Sequence, residues 1–179
     1  KLRARGRELS QTVEVRIDPR ARTTPEALQA RFAASQQVAE LQRAFFEASK
    51  TLQRMDEEMQ RFQRFSKLVK EGEKVPEAID KRMKEVSTSL DELKEKLKAG
   101  WGGPRFQILD LAGQLQASTT GPTATQMTTI AHLTRELTAN IEKLNGVLTR
   151  DLPELERQLR DSNIAPLSIT PVVPPKKDM

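Results

Sequence analysis

With 179 residues, 36% of them hydrophobic and 31% charged, the chain is long enough for one domain with a real core, and its balance fits a soluble helical protein. The absence of Cys excludes disulfides, thiolate metal sites and cysteine nucleophiles, and leaves the compartment open; an aromatic content of only 4% suits helix-on-helix packing better than a β-sandwich. The net charge of +5 sits at the ends: residues 1–22 carry seven Arg and Lys against three acids, residues 162–179 two Lys against one Asp, and the stretch between is neutral. A broad basic face that tracks a phosphate backbone is therefore not expected, and neither is a nucleic-acid partner.

The chain opens on KLRARGR, basic but with no apolar run behind it, and lacks an initiator Met. It reads as a mature or clipped piece of a longer product. Val13, Val15 and Ile17 then alternate with polar residues, which predicts one β-strand over Gln11–Ile17. A lone strand leaves its backbone groups unpaired, so these three residues are candidates for pairing with upstream sequence or with another protein.

Thr23 or Thr24 is a good N-cap, Pro25 fits the first helical position, and Glu26 stands three residues after Thr23 as in a capping box. Neither Gly nor Pro follows until Gly72, while Leu41, Phe45, Ala48, Leu52, Met55, Met59, Phe62 and Val69 recur at three and four. That spacing predicts one helix of about 46 residues, roughly 70 Å long. Gly72 and Pro76 end it and start the next, where Ile79, Met83, Val86, Leu90, Leu93 and Leu97 keep the same rhythm.

AGWGGP, residues 99–104, breaks the second helix, and a short helix over about Arg105–Ala117 is anchored by Phe106, Leu109 and Leu115. TTGP, residues 119–122, precedes a last long helix carrying Met127, Ile130, Leu137, Ile141, Leu144, Leu148, Leu155 and Leu159, which Pro153 kinks or restarts near Asp151. The second and short helices together match the last in length. The expected fold is all-α: a long antiparallel, coiled-coil-like helical hairpin whose far end projects, merging into an up-down-up three-helix bundle with a broken middle helix, preceded by one orphan strand.

Three segments result: 1–22, a basic piece with the terminal strand of a missing or partner sheet; 23–161, the bundle; and 162–179, an extended Pro-rich tail. Ile164, Leu167, Ile169, Val172 and Val173 make that tail unusually apolar for a linker, so they join the candidate partner-binding residues.

Residues that carry chemistry are sparse. His132 is the single His, its sequence neighbours are Ala131 and Leu133, and it reads as an ordinary helix residue. Carboxylates such as Asp56, Glu57 and Glu58 lie among Lys and Arg at helical spacing, as on a solvated face. Trp101 is expected to plug the core, and Met55, Met59 and Met83 are seam residues. No phosphate-binding glycine loop, HExxH or GxSxG occurs, so no catalytic residue, metal or cofactor is expected.

VRIDPR (15–20), TTPEALQARFAAS (23–35), GPTATQ (121–126) and IEKLNGVLTRDLPELERQLR (141–160) resemble the C-terminal helical region of exported bacterial sortilin-type BNR-repeat β-propeller proteins. The resemblance implies a helical terminus after a strand ending in V-R-x-D-P-R, and a periplasmic or extracellular location. It carries over no activity, because no propeller residue is present. The expected function is a non-enzymatic interaction or scaffolding module, one form being an accessory subunit docked on the periplasmic side of a membrane-bound electron-transfer or photosynthetic complex. The alternatives are the non-catalytic terminal domain of a propeller enzyme acting on glycans, and a basic binder of nucleic acid or membrane surface.

Overall fold

The structure is a computed structural model that describes residues 2–4, 6–14, 16, 18, 20, 23–69, 76–97 and 102–162. It is mostly helical: α1 (Pro25–Val69), α2 (Glu77–Lys96), α3 (Pro104–Ala117), α4 (Ala124–Gly146), a π-helical segment (Val147–Asp151) and α5 (Leu152–Asp161).

The opening strand is corrected. Two short strands, β1 (Leu2–Ala4) and β2 (Arg7–Leu9), pair antiparallel with Leu2 opposite Leu9. Gly6, whose φ of 76° is open to glycine at no steric cost, makes the turn between them. Val13 belongs to no strand and is 77% exposed, while Val15 and Ile17 lie outside the described residues. A glycine turn lets neighbouring residues satisfy each other's backbone groups.

α1 is 45 residues long, and its cap is Thr24, whose hydroxyl accepts from the Ala27 amide at 3.2 Å. Thr23 and Glu26 do not form the expected box. The carboxyl of Glu26 is instead held below its ordinary value by its own amide and by the Thr24 hydroxyl. The core side of α1 runs from Ala34 and Val38 through Leu41, Phe45, Leu52 and Met55 to Met59 and Phe62.

α2 and α3 return along α1. Near the end of α2, Lys94 bonds Asp56 of α1 and, at 3.1 Å, Asp91; further on, Ile108 of α3 lies beside Phe45, and Arg31 donates to the carbonyl of Ser118. The five apolar positions of α2 that the spacing picked out, and Leu97 at its C-cap, are buried. Burial pulls the Lys94 ammonium down, but the hydrogen bonds to Asp56 and Asp91 outweigh it and leave its pKa raised.

α4 starts at a capping box, with Gln126 N donating to the Thr123 hydroxyl at 3.2 Å and Thr123 N to the Gln126 side chain at 2.9 Å. Its rod continues through the π segment, where the Leu152 amide reaches back to the Val147 carbonyl. Pro153 causes this widening: it lacks an N–H, and its ring crowds the preceding turn. The wider turn keeps Val147, Leu148, Leu152, Leu155 and Leu159 all on the buried side.

The hairpin does not project alone. α5 packs along α2, and Arg82 of α2 donates to Asp151 at 2.7 Å, so a third rod accompanies the far part of α2. Asp151 is thereby held between Arg82 and Arg150, the latter at 3.0 Å, with 13% of its side chain exposed.

Candidate interaction surface

Among the described residues no cluster of three or more His, Cys, Asp or Glu side chains is placed to hold a metal, and no helix is long and apolar enough to cross a membrane. His132 is on the surface of α4, its side chain 53% exposed and 3.5 Å from Glu136 one turn on. Trp101 and the tail residues Ile164, Leu167, Ile169, Val172 and Val173 lie outside the described residues. Of the sequence-predicted partner residues only Val13 has a described side chain, and it is exposed and belongs to no strand.

The feature that stands out lies elsewhere, on the face shared by α1 and α3. A recess of about 360 Å³ is floored by Phe45 and Ile108 and rimmed by Gln42, Phe46, Ser49, Arg105 and Leu109. Phe46 is 63% exposed and Leu109 46%, and Phe106, one turn before Leu109 on α3, is 36% exposed. The Lys50 ammonium lies 6.0 Å from the centre of the Phe46 ring. Fourteen residues before Phe46, four helical turns back along the same side of α1, Phe32 is also 63% exposed.

Local sequence explains why these side chains face outward. In the doublet Phe45–Phe46 only one ring fits the core stripe, since consecutive helical residues point about 100° apart. On α3 the stripe that docks on α1 is Ile108, Leu111 and Leu115, all buried. Phe106 and Leu109, expected as anchors beside Leu115, fall on the other side of that helix; Met127, expected as an anchor of the last helix, is 38% exposed.

A second groove, about 540 Å³, lies between α2 and the α4–π rod. Its walls balance Lys96, Lys143 and Arg150 against Glu92, Glu142 and Asp151 over an apolar floor that includes Leu93 and Val147. The ion pairs of Asp151 with Arg82 and Arg150 account for the charges nearest the π segment. This groove looks built to hold the rods in register.

A comparison with protein-family models, with curated proteins and with solved structures finds no match.

Proposed function

We propose that the chain is a non-enzymatic protein-interaction and scaffolding module. In this reading, three rods running up, down in two pieces and up form a stiff frame that presents one apolar docking face to another protein chain. The observation that carries it is the pair Phe46 and Leu109, left exposed at the rim of a recess between α1 and α3, with Phe106 exposed one turn before Leu109 on α3. Exposed apolar groups of this kind, rimmed by polar residues, mark contact sites between proteins. An exported setting belongs to the same proposal and draws on the resemblance of residues 15–20, 23–35, 121–126 and 141–160 described above.

A photo-reactive benzoylphenylalanine placed at position 46 tests the docking face in the protein's own cells. Irradiation is expected to yield adducts of the mass of protein–protein conjugates. Adducts confined to lipid, or no adduct at all, overturn the reading. Osmotic-shock fractionation checks the location: recovery in the cytoplasmic fraction overturns export and leaves docking untouched.

A further inference from the structure

Phe32, Ala39 and Phe46 are spaced by seven residues and all three are exposed, so α1 carries a large–small–large series along one side. Seven residues are close to two helical turns, about 10.5 Å of rise, so the two rings stand at equal distances on either side of Ala39. Turned end for end about an axis through Ala39, the series maps onto itself: Phe32 meets Phe46 of the other copy, and Phe46 meets Phe32. A protruding ring and a recess sit on the same patch, as an isologous contact requires, because each copy must offer both halves.

Two further observations fit. Gly113 of α3 lies on the same face as Phe106 and Leu109, and a methyl group there would meet nothing within 4 Å, so no contact inside the chain calls for glycine. A glycine in a helix interior is destabilising relative to alanine unless a backbone approaches it closely. The charges around the patch are of both signs, Arg43, Lys50 and Arg105 with Glu47 and Asp110, all exposed. Turned about Ala39, Glu47 faces the opposite charge of Arg31 in the other copy, while Arg43 and Lys50 face the uncharged Ser35 and Leu28, so these charges meet no like charge along α1.

We infer that the α1–α3 face binds a second copy of this chain, antiparallel, about a two-fold axis near Ala39. This rests on the docking reading above and names its partner. From Phe32 to Lys50 α1 rises about 27 Å, and two neighbouring helices present a strip about 20 Å wide. Each copy then covers roughly 500 Å², a total at the low end for specific interfaces, where association is weak and reversible, with Kd on the order of 10–100 µM.

Sedimentation equilibrium of the 179-residue chain from about 1 to 300 µM is expected to show a monomer–dimer equilibrium. Phe46→Glu, which touches an exposed position, is expected to weaken it at least tenfold with an unchanged circular dichroism spectrum. Because the chain has no Cys, Ala39→Cys gives a clean second readout: mild oxidation yields a disulfide-linked dimer through position 39, while Ala131→Cys on exposed α4 does not. A wild-type chain that stays monomeric at 300 µM, or equal cross-linking at positions 39 and 131, overturns the second copy. So does binding of the monomer to anionic phosphatidylglycerol vesicles that Phe46→Glu abolishes, which assigns the face to lipid. If photo-adducts at position 46 join the chain to another protein while the chain is monomeric, the second copy fails and the docking reading stands; if no adduct forms, both fail.

Discussion

Where α5 lies along α2, Leu155 and Leu159 are fully buried and an acid is held between two guanidinium groups; where α3 lies along α1, Phe32 and Phe46 each remain 63% exposed. Both regions are built from the same kind of amphipathic helix. What differs is how many apolar stripes each helix carries. α5 has one, and three rods enclose it. α3 has two, Ile108–Leu111–Leu115 and Phe106–Leu109, and docking on α1 covers only the first. Surplus apolar surface on a short helix is therefore what the proposed contact would use, whereas a single stripe closed by ion pairs holds the frame.

The largest effect is expected from two neighbours in sequence. Phe45 is buried at 6% exposure and Phe46 is not. Phe45→Ala should lower stability by about 3–4 kcal/mol, since it leaves a cavity that the bundle closes only in part. Phe46→Ala should cost no more than about 0.5 kcal/mol in the monomer. Urea denaturation at low micromolar concentration measures both. Comparable losses would mean that Phe46 packs within the monomer and that the contrast between the two regions is mistaken.

At the other end, Asp151→Asn tests the clamp. Arg82 and Arg150 would lose the carboxylate to which they donate at 2.7 and 3.0 Å, and Arg82 is the less exposed of the two. Charge-assisted hydrogen bonds in partly buried surroundings are worth about 2 kcal/mol, so a loss of that order is expected in urea. Half-molar salt should diminish it little, because a partly buried pair is poorly screened. A loss that vanishes in salt would reduce the clamp to a surface ion pair.

A smaller effect follows from Lys94. Its folded pKa is raised by Asp56 and Asp91 against the opposing pull of burial. Its contribution is therefore fully present below the unfolded lysine value of about 10.4 and is lost as pH rises through the higher folded value. With its side chain 35% exposed, solvent screening keeps the contribution under about 1 kcal/mol. Thermal melts from pH 9 to pH 11.5 should show Lys94→Gln converging on the wild type at the alkaline end. A gap that widens with pH would have the wrong sign for this account.

Much of the frame was legible because punctuation and period agree. Pro25, Pro76 and Pro104 stand at or next to helix starts, Pro153 coincides with the break in the last rod, and the three-four spacing picked out every buried position of α2. The T-x-x-Q box at Thr123 went unread, although its signal stands in the sequence. Periodicity was silent wherever two answers share one period. Phe106–Leu109 and Ile108–Leu111 are both stripes of a helix, and only docking on α1 chooses between them. Thr23 and Thr24 are both good caps, and the choice depends on where the first turn closes. The candidate face went unread for the same reason: its residues look like core anchors until the neighbour is in place. Among the described residues strand pairing occurs earlier than the alternation suggested, on either side of the turn that Gly6 provides.

The smallest change expected is also the one that divides the two regions most sharply. Gly113→Ala adds a methyl group that meets no atom within 4 Å, and it removes the conformational freedom that glycine gives the unfolded chain. In the monomer it should raise stability by about 0.5–1 kcal/mol. In a contact between copies the same methyl group intrudes where backbones approach, so association should weaken. Gly146→Ala, on α4 and likewise with no neighbour within 4 Å, offers the matched control: it should stabilise by a similar amount and leave association unchanged. Thermal melts at micromolar concentration read the first quantity and sedimentation equilibrium the second. Only a face shared with a second copy predicts opposite signs for the two at Gly113; equal behaviour of the two glycines would leave α3 an ordinary solvent-facing helix.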